Sequence, residues 1–149
     1  VLRTISLPST HSAGDGLGGV TLVRDAGRRI VAAYAGDARG HLWRFDLRGE
    51  PSTWRVSYGR PLFTTEGNRP IYAAPAWQAH PQGGTMVVVG TGIALDENHL
   101  RDTAHRNGIF GIWDPTSRDD GTESSGFETI AESQLLEQHI GELRGQDGN

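Results

Sequence analysis

From Val20 to Leu47 apolar and polar positions alternate in short runs broken by glycine, the period-two pattern of narrow antiparallel strands. Strands are expected at Val20–Arg24, Ile30–Ala35 and His41–Leu47, with Ala26–Gly27–Arg28 turning between the first two. Gly36, Asp37 and Gly40 form a tight turn between the second and third, in which the short Asp37 side chain accepts hydrogen bonds from backbone amides. Trp43 and Phe45 alternate with Leu42 and Arg44 and so share one face of the third strand. An aromatic plug beside a glycine-bounded turn suits the packing of one small sheet on the next. After a loop containing Gly49, Pro51 and Ser52, strands at Trp54–Tyr58 and Pro61–Thr64 complete a four-stranded antiparallel meander. Ahead of it, a strand at Leu2–Leu7 is separated from the meander by a polar, glycine-rich passage.

The pattern then restarts. Ile71–Gln78 reads as a strand ending at His80–Pro81, the turn Gln82–Gly84 leads into Thr85–Gly90, and Gly108–Trp113 closes on Asp114 and Pro115. A charged and histidine-containing insertion, Ile93–Asn107, separates the last two, and Arg118–Ser125 forms a polar loop. Phe127–Glu132 is expected as the outer strand, and Ser133–Leu143 as further strand or a short helix. Val31–Gly36 corresponds to Val87–Gly92, and HLWRFD ending at Asp46 corresponds to GIFGIWD ending at Asp114. This repeat predicts an all-β segment built of antiparallel four-stranded blades of a partial β-propeller. One propeller segment is expected over 1–149, with two blades at 17–65 and 70–132, a flanking strand at 2–7 and a tail at 133–149. Two blades do not close a ring, so exposed strand edges at Leu2–Leu7 and Phe127–Glu132 suggest self-association as a homo-oligomer.

Composition narrows the classes. With 21 Gly, 7 Pro and 36% hydrophobic residues the 149-residue chain favours many short strands over a helical bundle. A net charge of −4 gives no general attraction to nucleic acid. Cysteine is absent, which removes disulfides and thiolate metal sites. No apolar run is long enough to span a bilayer as a helix. The opening on Val1 and the lack of a basic-then-apolar leader suggest an excised piece of a longer protein.

Candidate chemistry is sparse. Asp25 stands before Ala26, Gly27, Arg28 and Arg29, where a calcium loop would need several convergent oxygens and two arginines stand instead. His99 and His105, with Asp96, Glu97 and Asp102, are the one local cluster of hard ligands, on an irregular insertion. No GxSxG elbow accompanies the serines, and Gly90–Thr91–Gly92 lacks the lysine and helix of a phosphate loop. Asp46 and Asp114 read as structural acceptors at matching strand ends. Trp43 and Trp113 are expected in the core, and Trp54, between Thr53 and Arg55, at the surface.

GLGGVTLVRD, YAGDARGHLWRFDL, PLFTTEGNRPIYAAPAWQAHPQGGTMVVVGTG and NGIFGIWD, in that order, resemble the C-terminal propeller of PilY-type proteins, type IV pilus biogenesis factors and proposed tip adhesins. The propeller is also similar to quinoprotein-like propellers. The resemblance covers about Gly16 to Asp114 and implies a non-enzymatic, exported protein of the periplasm, outer membrane or cell surface. Its implied partners are pilus assembly proteins or pilins, and a host surface. The resemblance also implies a regulatory calcium loop near Asp25, although further ligands are missing between Ala26 and Ala33, so no cofactor is expected here. Recognition is expected through Ile93–Asn107 and Arg118–Ser125, on sheets held by Trp43, Phe45, Phe110 and Trp113. Two other classes remain: a quinone-dependent dehydrogenase propeller, which would need a cofactor pocket fed by many blades, and an interaction module pairing through strand edges.

Overall fold

The computed structural model describes residues 3–8, 16–92, 107–115 and 126–138. Strands β1 (Leu17–Arg24), β2 (Ile30–Asp37) and β3 (His41–Asp46) form consecutive antiparallel hairpins. Two short segments then share the far side of β3. β4 (Arg55–Val56) pairs with its C-terminal half at Phe45 and Asp46, and β5 (Phe63–Thr64) with its N-terminal half at His41 and Leu42. The chain turns between them at Ser57–Gly59, where Tyr58 adopts a left-handed φ of 61°. A second antiparallel sheet contains β6 (Ala76–Ala79), β7 (Thr85–Gly90) and β8 (Ile109–Asp114). β9 (Ile130–Ala131) pairs with β5 in parallel, at the edge of the first sheet.

Alternation along the strands decides what meets what. On β7, Thr85, Val87 and Val89 turn inward while Met86 and Val88 turn out. Val87, Val89 and Ile112 join Val23, Ala32, Tyr34, Leu42, Leu62, Phe63 and Ile71 in one buried cluster that unites the two sheets. Full burial of each such aliphatic or aromatic side chain stabilises the fold by about 1.5–3 kcal/mol. The opposite face of the first sheet carries Ala33, Ala35, Trp43 and Phe45, covered by Ile5, Leu7, Leu47 and Val56.

Several elements differ from the sequence reading. Residues 3–8 form no strand; instead Ile5 and Leu7 lie as a lid on the Trp43 face, with Arg3 Nε donating to Trp54 O at 2.9 Å. A side-chain anchor of this kind needs no ladder. The expected strands Trp54–Tyr58 and Pro61–Thr64 shorten to two residues each because both compete for the same edge of β3. Within Ile71–Gln78, Ile71 forms an isolated bridge to Gly92 and only Ala76 onward joins the second sheet. The expected outer strand at Phe127–Glu132 contributes only β9, and to the first sheet, where Ile130 N–H reaches Leu62 O at 3.0 Å. Among the described residues of the segment after it, a 3₁₀ turn spans Glu132–Gln134. The proposed recognition loops fall outside the described residues at 93–106 and 118–125, with the His99 and His105 cluster.

Candidate functional site

The turn between β2 and β3 is organised by one buried carboxylate. Asp37 Oδ1 accepts from Arg39 N–H at 2.8 Å and His41 N–H at 3.0 Å, while Oδ2 meets His41 Nδ1 at 2.9 Å and accepts from Trp43 Nε1 at 2.8 Å. Its backbone carbonyl also accepts from Gly40 and Ile71. Burial alone would raise the pKa of this carboxyl, but hydrogen bonds from His41 and Trp43 together outweigh it and hold the group below its ordinary range. Glycine is required around it for two reasons. Gly40 has φ +80°, and a Cβ on Gly36 would stand 2.2 Å from Ile71 Cγ2 and 2.3 Å from Ile71 O. Asp37 thus fixes the hairpin, the Trp43 rotamer and the chain crossing at Ile71.

A second carboxylate lies between the sheets. Asp114, fully buried at the end of β8, accepts from Tyr34 Oη on β2 at 2.5 Å and faces Tyr58 Oη at 3.5 Å. Arg44 Nε on β3 approaches the same Oδ2 at 2.8 Å as an ion pair, out of line for a hydrogen bond, while Nη1 donates to Ser57 Oγ at 2.5 Å. Arg44 is 1% exposed, so its charge is balanced inside the protein rather than by water. Burial, and after it the negative charge of Asp114, push the Tyr34 phenol far above its usual range, and it stays protonated as a donor. This cluster bridges residues about 80 positions apart and joins both sheets through charge.

Asp46 serves a different purpose. It receives Arg48 through the backbone N–H at 3.1 Å and the side chain at 2.8 Å from both Nε and Nη2, with Arg55 at 3.4 Å. Burial opposes ionisation, yet the Arg48 hydrogen bonds lower its pKa. Beside it, a cleft of about 610 Å³ lies between the β1–β2 turn and the segment after β3, with Asp25, Arg29, Arg48, Glu50 and Trp54 on its walls.

The structure therefore brings Gly36, Asp37, Gly40 and Trp43 together, and gives Asp46 and Asp114 different hydrogen-bond partners. Trp113 departs from expectation. Ile112 and Asp114 face the first sheet, so Trp113 between them faces away, 37% exposed, stacked on His80 and donating to Gly83 O at 2.9 Å. Trp54 is half-buried, and Trp77 matches Trp113 in exposure. Sequence reasoning missed Tyr34, Arg44 and Ser57. The one available signal was Arg44 itself, a charge at an alternation position that faces the same way as Leu42. Among the described residues no three histidine or carboxylate side chains converge as a metal site.

Comparison with known proteins is consistent in direction. The family profile described as PilY1 beta-propeller domain matches residues 1–145. A type IV pilus biogenesis factor PilY1 of Pseudomonas aeruginosa is 29% identical over 154 residues, covering 84% of this chain and 13% of the relative. A PilY1 homolog of Xylella fastidiosa is 30% identical over 139 residues, covering 90% of this chain and 10% of the relative. The crystal structure of the Pseudomonas aeruginosa PilY1 C-terminal domain is similar with a TM-score of 0.71 and 30% identity, covering 87% of this chain and 31% of that one. The chain spans 10–13% of the length of these curated relatives.

Proposed function

The chain belongs to the PilY1 beta-propeller domain family, and on that premise we propose that it is a non-enzymatic protein-binding segment of a type IV pilus biogenesis and adhesion factor. It acts in the cell envelope, at the outer membrane or cell surface, and its partners are pilus assembly proteins or pilins, with host surfaces as the target in attachment. The observation that carries the reading is the family match over residues 1–145. The geometry agrees with it in kind. Asp37, Asp46 and Asp114 are engaged in holding strands, turns and sheets, so they make a stiff scaffold for surface recognition rather than a set of acids and bases open to a substrate.

Deletion of the gene in its host bacterium tests the proposal. The expected result is loss of shearable surface pilin and of surface attachment, both restored by complementation with the intact gene. Normal pilus number and attachment in the deletion strain would overturn it. Quinone-dependent turnover of an alcohol by the purified protein in a dye-linked assay would favour the dehydrogenase reading instead.

A further inference from the structure

We propose that the β1–β2 turn is closed by arginine where the family resemblance leads one to expect a divalent cation, so that this hairpin holds its shape without calcium. The inference rests on the family reading only for the place at which a metal loop is expected; everything else comes from the donors and acceptors of the turn.

Calcium takes about six to eight oxygen ligands at about 2.3–2.6 Å, most of them carboxylate or carbonyl. Four oxygens of this turn are already engaged by N–H groups. Asp25 Oδ1 accepts from Arg29 N–H at 2.9 Å. Asp25 O accepts from Arg28 N–H at 2.9 Å, and Arg29 O from Asp25 N–H at 2.9 Å. Arg28 O accepts from the guanidinium of Arg24, with Nη1 at 2.9 Å. Ala26 and Gly27 bring no side-chain oxygen. The turn is also narrow, since a Cβ on Gly27 would come within 3.2 Å of Asp25 Oδ1.

Arg28 has a φ of 63°, the left-handed region that L residues seldom enter, and it is the carbonyl of this residue that Arg24 holds. The guanidinium brings positive charge to a carbonyl, as a bound cation does, but along a directed N–H bond from a residue of β1 itself. Around the turn stand Arg24, Arg28 and Arg29 against the single carboxylate of Asp25, a charge balance that opposes a dication. Charge and hydrogen bonding thus give the same answer: four of the oxygens a metal could use are held within the turn, three by backbone N–H groups and one by the Arg24 guanidinium.

The test uses the full chain, after chelation and dialysis, in thermal melts with calcium chloride or chelator and in calorimetric titration with calcium chloride. Wild-type protein is expected to melt at the same temperature in both conditions. Arg24→Ala is expected to lower Tm by about 2–4 °C whether or not calcium is present, the shift that a loss of one modest interaction gives in a chain of this size. Arg24→Lys should recover part of it. A saturable calcium heat that vanishes in Asp25→Ala would overturn the proposal, as would an Arg24→Ala melt indistinguishable from wild type. A calcium heat retained in Asp25→Ala would place the ion away from this turn and support the assignment. None of these readouts depends on pili, so the result stands apart from the genetic test of function.

Discussion

Asp114→Asn is the perturbation that examines most directly how the two sheets are held. The substitution keeps the size of the side chain and removes its charge, taking from Arg44, 1% exposed, its ion-pair partner between the sheets. Breaking a buried pair from one side typically costs about 3–5 kcal/mol. Against a total stability of about 5–15 kcal/mol for a domain, that is a large fraction. With a urea m-value of about 2 kcal/mol per molar, the midpoint should fall by about 2 M, read by far-ultraviolet circular dichroism. Tyr34→Phe removes one donor to the carboxylate but leaves Arg44 paired, and its cost should be smaller, about 1.5–3 kcal/mol. The double substitution Arg44→Met with Asp114→Leu removes both charges; replacement of a buried pair by apolar groups is commonly neutral or better, so most of the loss should be recovered. A midpoint shift below about 0.3 M for Asp114→Asn, equivalent to well under about 1 kcal/mol, would refute the reasoning. So would a double variant no better than the single, because the cost would then lie in shape rather than in charge.

The other predictions concern the Asp37 turn and the outer faces. Gly36→Ala would force a Cβ to 2.2 Å from Ile71 Cγ2, and overpacking of this kind costs at least about 1–3 kcal/mol, so the urea midpoint should drop clearly; an unchanged midpoint would mean that the chain crossing at Ile71 is soft. Trp43→Phe should cost about 1.5–3 kcal/mol by losing the Nε1 hydrogen bond to a buried carboxylate, whereas Trp113→Phe on the exposed face should cost under about 1 kcal/mol; equal effects in denaturation would contradict the two environments. Acid should destabilise the fold in a definite window. The native pKa values of Asp37 and Asp46 are depressed, so their contribution is complete above the unfolded value of about 3.9 and is lost as pH falls through the native values. Tm should therefore stay level from neutral pH to about 5 and fall below about 4, with a shallower fall in Asp37→Asn.

How much of this was legible in the sequence follows from the range of each interaction. The β2–β3 hairpin could be read because Gly36, Asp37, Gly40 and Trp43 act on one another within a few positions, and the alternation of Trp43 and Phe45 fixes their common face. The lid formed by Ile5 and Leu7 could not, because apolar residues at alternate positions look the same whether they enter a ladder or merely cover one. Nor could the pairing of β9 with β5, a two-residue parallel contact across the width of the chain, decided by which edge is free. Trp113 was misjudged on residue type. Its neighbours Ile112 and Asp114 already claimed the inner face, and the period-two rule applied to them would have turned it outward.

Asp46 and Asp114 show why a repeat in sequence does not carry a repeat in role. Each closes a strand of the same pattern and each is buried, yet the surroundings assign them opposite tasks. Asp46 has Arg48 two residues on and Arg55 on the neighbouring strand, so its charge is answered locally and secures a turn at the rim. Asp114 is met from the other sheet, by Arg44 as an ion pair and by Tyr34 as a hydrogen-bond donor. A local clamp can form as soon as its hairpin does, whereas the second cluster is complete only when both sheets have docked. Its directional bonds fix the distance and angle between them in a way that apolar contact alone does not. On the proposed reading, in which the segment presents surfaces to protein partners, that angle would set the spacing of what the two sheets display, and the buried Arg44–Asp114 pair would bear on recognition through geometry although neither residue reaches the surface.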